Sequence, residues 1–384
     1  MTAPTKIPNA QLTAGDFAKN VKSEDLIYFV LNVGDGDAQV LALPEEPTLG
    51  GQPRRRIIVV DAAIVSKIPK LLESLEAAGL MGPGHTSFVP GSVALVVATH
   101  PHDDHIGGMA DLVQKYRDSI TEFWDSGYFH PSGAYHNLMT EIERSPFLVY
   151  AHPSSGLQRW FGNLGVTVLS PSIQLKNRYD TYGIDPNDSS ISLKLDYPTS
   201  RVQQRKNNRS YVDLGAARQS LVLGADAQTL SWSYVLTEFP QLDLSDSEVA
   251  GALDIATGKN DPLKAKVLKV SHHASKHGVN IELVERIHPS VMLVSSVGGG
   301  GKYGFPHSVA QEILREAIEE IAKNQTARSP DWKLHLFYTC DEDDAGSCLG
   351  SIAIIMGSNQ RREIWRFGDA PGDAVNLRNG RKLS

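Results

Sequence analysis

The run Val93–Ala98, six apolar residues leading without a break into Thr99-His100-Pro101-His102-Asp103-Asp104-His105, constrains this chain more than any other feature. The apolar segment reads as a buried strand, and Ile106–Tyr116 behind it reads as a helix. Two histidines separated by one residue at a strand end project from the same face, and the next turn brings Asp104 and His105 back toward them. Imidazole and carboxylate donors together suit Zn, Mn or Fe, and two such ions held ~3.5–4 Å apart can activate a water and stabilise a leaving oxygen. Helix capping would use one carboxylate and leaves the three imidazoles unexplained. Gly107 and Gly108 allow the helix backbone to come close to this turn.

The same strand-then-polar-turn pattern recurs. Apolar stretches at 26–33, 39–43, 57–60, 147–151, 166–169, 267–270, 291–295, 334–338, 352–356 and 363–367 read as strands, 191–195 with 220–223 as a hairpin, and 66–78 and 231–238 as helices. This alternation predicts an α/β fold of stacked layers. The 384 residues, 41% hydrophobic and 21% charged, have the balance of a globular protein, with a polar N-terminal lead-in at 1–24, one domain at 25–368 and a C-terminal tail at 369–384. The apolar runs fall short of the ~18 residues a membrane helix needs, and the N-terminal segment has no export pattern, so a cytoplasmic location is expected. Cys340 and Cys348 match no four-ligand zinc pattern.

A net charge of -7 means that a polyanion must be held by local basic patches. Arg54–Arg56, Arg201–Arg209 and Arg378–Lys382 are the candidates. The acidic stretch Asp341–Asp344 reads as an exposed hairpin tip.

Two later strand ends carry similar chemistry. Asp226 follows Leu223-Gly224-Ala225, where a carboxylate could bridge two cations, and Ser271-His272-His273-Ala274-Ser275 places neutral imidazoles after another strand. Asp37 and Asp61, also at strand ends, suit the orientation of metal-bound histidines or simple turn formation.

Taken together, the H-x-H-x-D-H-x-G-G run, Asp226 and His272–Ser275 resemble the metallo-β-lactamase superfamily. Asn32–Ala38, Asp188-Ser189-Ser190, Leu268–Ser275 and Tyr303-Gly304-Phe305-Pro306-His307 are similar to the ComEC-type competence hydrolases, here without the membrane channel. The resemblance spans about residues 26–357 and implies a four-layer αββα sandwich with a metal cleft at one edge. It implies one or two divalent ions, Zn2+ or Mn2+: His100 and His102 on one, Asp104 and His105 on the other, Asp226 between them and His273 completing the second. His272 would then protonate a leaving group, with the reverse assignment of the two histidines left open, and His307 would contact substrate or donate a proton.

The sequence departs from that pattern in two places. Asn187-Asp188-Ser189 stands where the superfamily supplies a further histidine, with His130, His136 and His152 as distant substitutes that read more simply as loop or core histidines. Asp35 adds a negative charge in the Gly34–Asp37 turn. The reading is a metal-dependent hydrolase using a metal-activated water, its catalytic residues Asp104, Asp226, His272 and His307, and its substrate a phosphodiester, with DNA and RNA among the candidates. A small-molecule amide, ester or lactone hydrolase and a non-catalytic metal-binding regulator are the alternatives.

Overall fold

Three apolar clusters divide the molecule into four layers. The computed structural model describes residues 5–48, 51–82, 88–180, 183–199, 201–204, 210–213, 219–241, 261–298, 301–324 and 336–383. A ten-stranded sheet runs in the order Val149–Ala151, Ile120–Asp125, Val93–Ala98, Ile57–Ala62, Ala38–Ala42, Leu26–Val30, Ile352–Met356, Arg362–Arg366, Gly380–Leu383 and Leu12–Gly15. A seven-stranded sheet runs Gln158–Phe161, Leu164–Ser170, Ser192–Tyr197, Gln219–Leu223, Val267–Lys269, Val291–Val294 and Leu336–Tyr338.

Strand parity builds the layers, because alternate side chains point to opposite faces. Ile27, Phe29, Val59 and Val96 face the helices Lys67–Ala77, Met109–Tyr116 and Gly133–Glu143. Tyr28, Val30, Val60 and Val97 meet Leu193, Leu195, Leu221 and Leu293 between the sheets. Val222, Leu268 and Met292 pack on the far side against Trp232, Val235, Leu283 and Leu314 from Thr229–Glu238, Ile281–Ile287 and Ser308–Asn324. The result is the α/β sandwich expected from the sequence, helices outside and two sheets within.

Several details differ from the sequence reading. The helix foreseen at 106–116 breaks into Asp103–Ile106 and Met109–Tyr116, because Gly107-Gly108 lies against the 63–65 turn; a Cβ on Gly108 would fall 2.6 Å from Ile64 carbon and Val65 nitrogen. The residues read as lead-in and tail supply the two strands at one edge of the large sheet, Leu12–Gly15 pairing antiparallel with Gly380–Leu383. Trp365 fills the space beside Gly15 and Gly380, an arrangement that four-residue strands of mixed polarity do not announce. The supposed acidic hairpin tip is partly interior: Asp341 is buried on Arg366 at 3.0 Å, and Asp343 pairs with Arg381 at 2.7 Å.

Two basic clusters have partners within the protein. Arg55 is buried and donates to the carbonyls of Asp25, Leu43 and Lys22, while Arg56 pairs with Glu46. Arg378 donates to the Ala77 carbonyl, Arg381 pairs with Asp343 and Lys382 with Glu363. In the third cluster, 201–204 forms a strand with 210–213, and 205–209 lies outside the described residues. Cys340 and Cys348 are free thiols. No helix among the described residues is long and apolar enough to cross a membrane.

Candidate metal centre

The site forms where parallel strands of both sheets end side by side. Ile57–Ala62 pairs with Val93–Ala98 in one sheet and Gln219–Leu223 with Val267–Lys269 in the other. Asp61, the 99–105 turn, Asp226 and the 271–275 turn sit at their C-terminal ends, where a rigid scaffold can aim loop side chains. The Ile191 amide donates to the Thr99 carbonyl at 2.9 Å and ties the two sheets together at this point.

Asp226 is the hub. Its Oδ2 faces Nε2 of His272 at 3.6 Å and of His100 at 3.9 Å, and its Oδ1 faces Nε2 of His105 at 3.3 Å and of His273 at 3.6 Å. His102 Nδ1 lies 3.1 Å from His100 Nε2. Asp104, His105 and His273 each offer a ligand atom within 4.8 Å of the others, as do His100, His105 and Asp226. The turns thus bring together His100, His102, Asp104, His105, Asp226, His272 and His273.

Buried partners fix how two of the imidazoles point. Asp61 Oδ2 accepts from His105 Nδ1 at 2.8 Å, and the Ser295 carbonyl accepts from His273 Nδ1 at 3.0 Å. Both acceptors require a proton on Nδ1, so that a neutral ring at either position turns its Nε2 lone pair toward Asp226. Asp61 is itself held by the Thr99 amide and hydroxyl, each at 2.8 Å. Asp37, the other candidate orienting carboxylate, is instead ion-paired with buried Lys269 at 2.8 Å. Asp35 accepts from the Lys302 amide at 3.0 Å, so its charge anchors the 301–304 turn.

Backbone strain is concentrated here. Asp61, Ala225, His272, His273 and Ala274 all have positive φ, between 47° and 59°. Such conformations cost non-glycine residues roughly 1–2 kcal/mol each and persist where surrounding structure enforces them. In the 271–275 turn, the His272 amide donates to the Ala225 carbonyl at 2.8 Å and the Ser275 amide to the His272 carbonyl at 2.7 Å. No glycine marks this turn, so its shape left no signature in the sequence.

The residues fit a divalent cation. His105 Nε2, His273 Nε2 and Asp226 Oδ1 are buried without a hydrogen-bond partner, a costly arrangement unless an ion satisfies them. The Asp226 separations of 3.3–3.9 Å match two donors sharing a small cation, since bonds near 2.1 Å in tetrahedral geometry place ligands about 3.4 Å apart. Without an ion, burial opposes the Asp226 charge, but His105, His272 and His273 outweigh it and hold the carboxyl well below its usual range. Burial likewise disfavours a charged His105, yet Asp226 and Asp61 push its pKa well up. Burial dominates at His100, carrying it well down, and lowers His272 against the pull of Asp226.

Other residues take their places around this centre. His130, one of the distant substitutes read from the sequence, lies with its ring 5.5 Å from that of His102. His136 is exposed, and His152 is hydrogen-bonded to Asp125. Asn187, at the place of the missing histidine, is buried with Oδ1 unpartnered. His307 stands one step out: its amide donates to the Ala274 carbonyl at 2.9 Å, and its Nδ1 accepts from the Val309 amide at 3.2 Å. Phe305, which the sequence marked only as part of a motif, stacks on His273 at 5.9 Å.

A mixed α/β sandwich of two sheets, with a histidine–carboxylate cluster at adjoining strand ends, is consistent with the metallo-β-lactamase fold. The Metallo-beta-lactamase superfamily model matches residues 52–161, which include Asp61 and the whole His100–His105 run, and this supports the superfamily resemblance. CmlA, a diiron β-hydroxylase from Streptomyces venezuelae, aligns at 10% identity over 78% of this chain and 52% of its own, TM-score 0.36. The metallo-beta-lactamase fold protein YhfI from Bacillus subtilis aligns at 11% over 75% and 93%, TM-score 0.35, and a long form RNase Z from yeast at 10% over 72% and 38%, TM-score 0.32. The chain spans about half the length of the CmlA chains it matches. No curated protein sequence matches it. At such identities and scores the structural alignments carry no argument about chemistry.

Proposed function

We propose that this protein is a metal-dependent hydrolase of phosphodiester bonds, similar to the ComEC-type hydrolases and acting in the cytoplasm. The observation that carries the metal-centre reading is Asp226, with two imidazoles facing each of its oxygens. His100 and His102 would hold one ion, Asp104, His105 and His273 the other, and Asp226 would serve both. Zn2+ or Mn2+ suits these donors. A divalent ion bound there lowers the pKa of water and draws charge from a reacting oxygen.

The remaining work falls to the chain. Asp61 and the Ser295 carbonyl keep His105 and His273 in the tautomer that leaves Nε2 free. His307 Nδ1 accepts from the Val309 amide, so a neutral ring carries its proton on Nε2 and can donate a hydrogen bond to a substrate oxygen.

The rim favours a phosphodiester. Exposed Tyr303 stacks on Phe305 at 5.8 Å, Phe305 stacks on His273, and Lys302 lies 4.8 Å over the Tyr303 ring. An exposed aromatic face beside a cation suits a base and its phosphate. Arg55 is buried on backbone carbonyls, and Arg56, Arg381 and Lys382 are ion-paired, which favours a short strand or nucleotide-derived diester over a long duplex.

Purified protein loaded with Mn2+ or Zn2+ should cleave bis-p-nitrophenyl phosphate or short single strands, and His102→Ala and Asp226→Ala should lose that cleavage. Cleavage of a lactone or ester in place of phosphodiesters would select a carbonyl hydrolase. Stoichiometric metal binding with no turnover on any substrate would select a regulator.

A further inference from the structure

We infer that His272 is the third protein nitrogen of the ion held by His100 and His102, replacing in space the histidine that Asn187-Asp188-Ser189 does not supply. This rests on the metal-centre reading above. Four imidazoles surround Asp226 in two pairs: His105 and His273 meet Oδ1, His100 and His272 meet Oδ2. Adjacent residues in an extended strand point to opposite faces. His272 and His273 escape that rule because both are left-handed, at φ 48° and 50°, and the turn presents one ring to each oxygen of the same carboxylate.

Packing around His272 supports the placement. Its backbone is clamped to the Ala225 carbonyl, one residue before Asp226. The bare backbone of Gly278 makes room for its side chain, since a Cβ there would lie 2.8 Å from His272 Cβ. Phe305 covers the ring edge-on at 5.2 Å. His272 Nε2 lies 3.6 Å from Asp226 Oδ2, the oxygen that His100 also faces. A ring whose Nε2 faces the hub carboxylate is placed to ligate. The donor set becomes His100, His102, His272 and Asp226 at one ion, and Asp104, His105, His273 and Asp226 at the other.

Metal content after equilibrium dialysis against Zn2+, together with Co2+ absorption titrations, tests the assignment. Wild type should bind two ions. His272→Ala and the bulkier His272→Gln should keep one tight ion and bind the second about 100-fold or more weakly, beyond the ~10–100-fold lost with a group that only orients a ligand. Two ions at unchanged affinity in either folded variant would overturn the inference and return His272 to proton transfer, with the metal centre intact. If neither variant folds, 15N-histidine spectra of wild type decide: a His272 ring nitrogen that shifts to a metal-bound position on loading supports ligation, and one still titrating in the loaded protein refutes it. Wild type that binds no ion overturns the metal-centre reading itself.

Discussion

Asp61 Oδ2 holds Nδ1 of His105 at 2.8 Å with both side chains fully buried, so the direction of the His105 lone pair is set by a residue from the neighbouring strand. Asp61→Asn keeps the side-chain shape and tolerates φ 59°, but removes the charge and offers an amide in its place. Zn2+ affinity measured by chelator competition should fall about 10–100-fold. Unchanged affinity would show that His105 needs no such anchor.

An ion that binds only the folded chain stabilises it. At a free concentration 100 times its Kd, the gain is about 2.7 kcal/mol, which raises Tm by several degrees. Thermal unfolding of chelator-treated and Zn2+-loaded protein should differ accordingly, and His105→Ala should lose most of the shift. An equal shift in that variant would place the ion elsewhere.

The tail is expected to be structural. Lys67 Nζ is buried 2.6 Å from Asp369 Oδ2, whose carboxylate also accepts from the Ser351 amide at 2.8 Å and hydroxyl at 2.6 Å. Asp369→Ala leaves a lysine charge buried and should cost about 3–5 kcal/mol in urea unfolding. A loss under about 1 kcal/mol would mean that water reaches Lys67 once its partner is gone.

His152 gives a pH dependence of stability. Its hydrogen bond to Asp125 raises the ring pKa above its usual value, against a smaller opposing effect of burial. A raised folded-state pKa stabilises fully below the unfolded value, near 6.5, and that stabilisation disappears as pH rises through the folded value. Wild type should exceed His152→Gln in unfolding free energy at about pH 5.5, by no more than about 1 kcal/mol for so exposed a pair, and the gap should close by about pH 9. A gap that widens with pH would reverse the assignment.

By itself the sequence determined the layers and singled out the histidines and carboxylates that cluster at the strand ends. Val93–Ala98 and Ile352–Met356 stand as strands where their apolar runs predict them, and the His100–His105 turn follows the first of these because strand, turn and helix signals are local. Only the tertiary structure decided which charges face which. Whether Arg55 meets phosphate or the carbonyls of Asp25 and Leu43, whether residues 380–383 trail free or pair with 12–15, and whether His272 and His273 share a carboxylate all depend on segments distant in the chain. Periodicity reports which face of a strand is buried; it carries no information about the partner that burial supplies, and it does not reveal a left-handed turn that the surrounding contacts impose on two histidines.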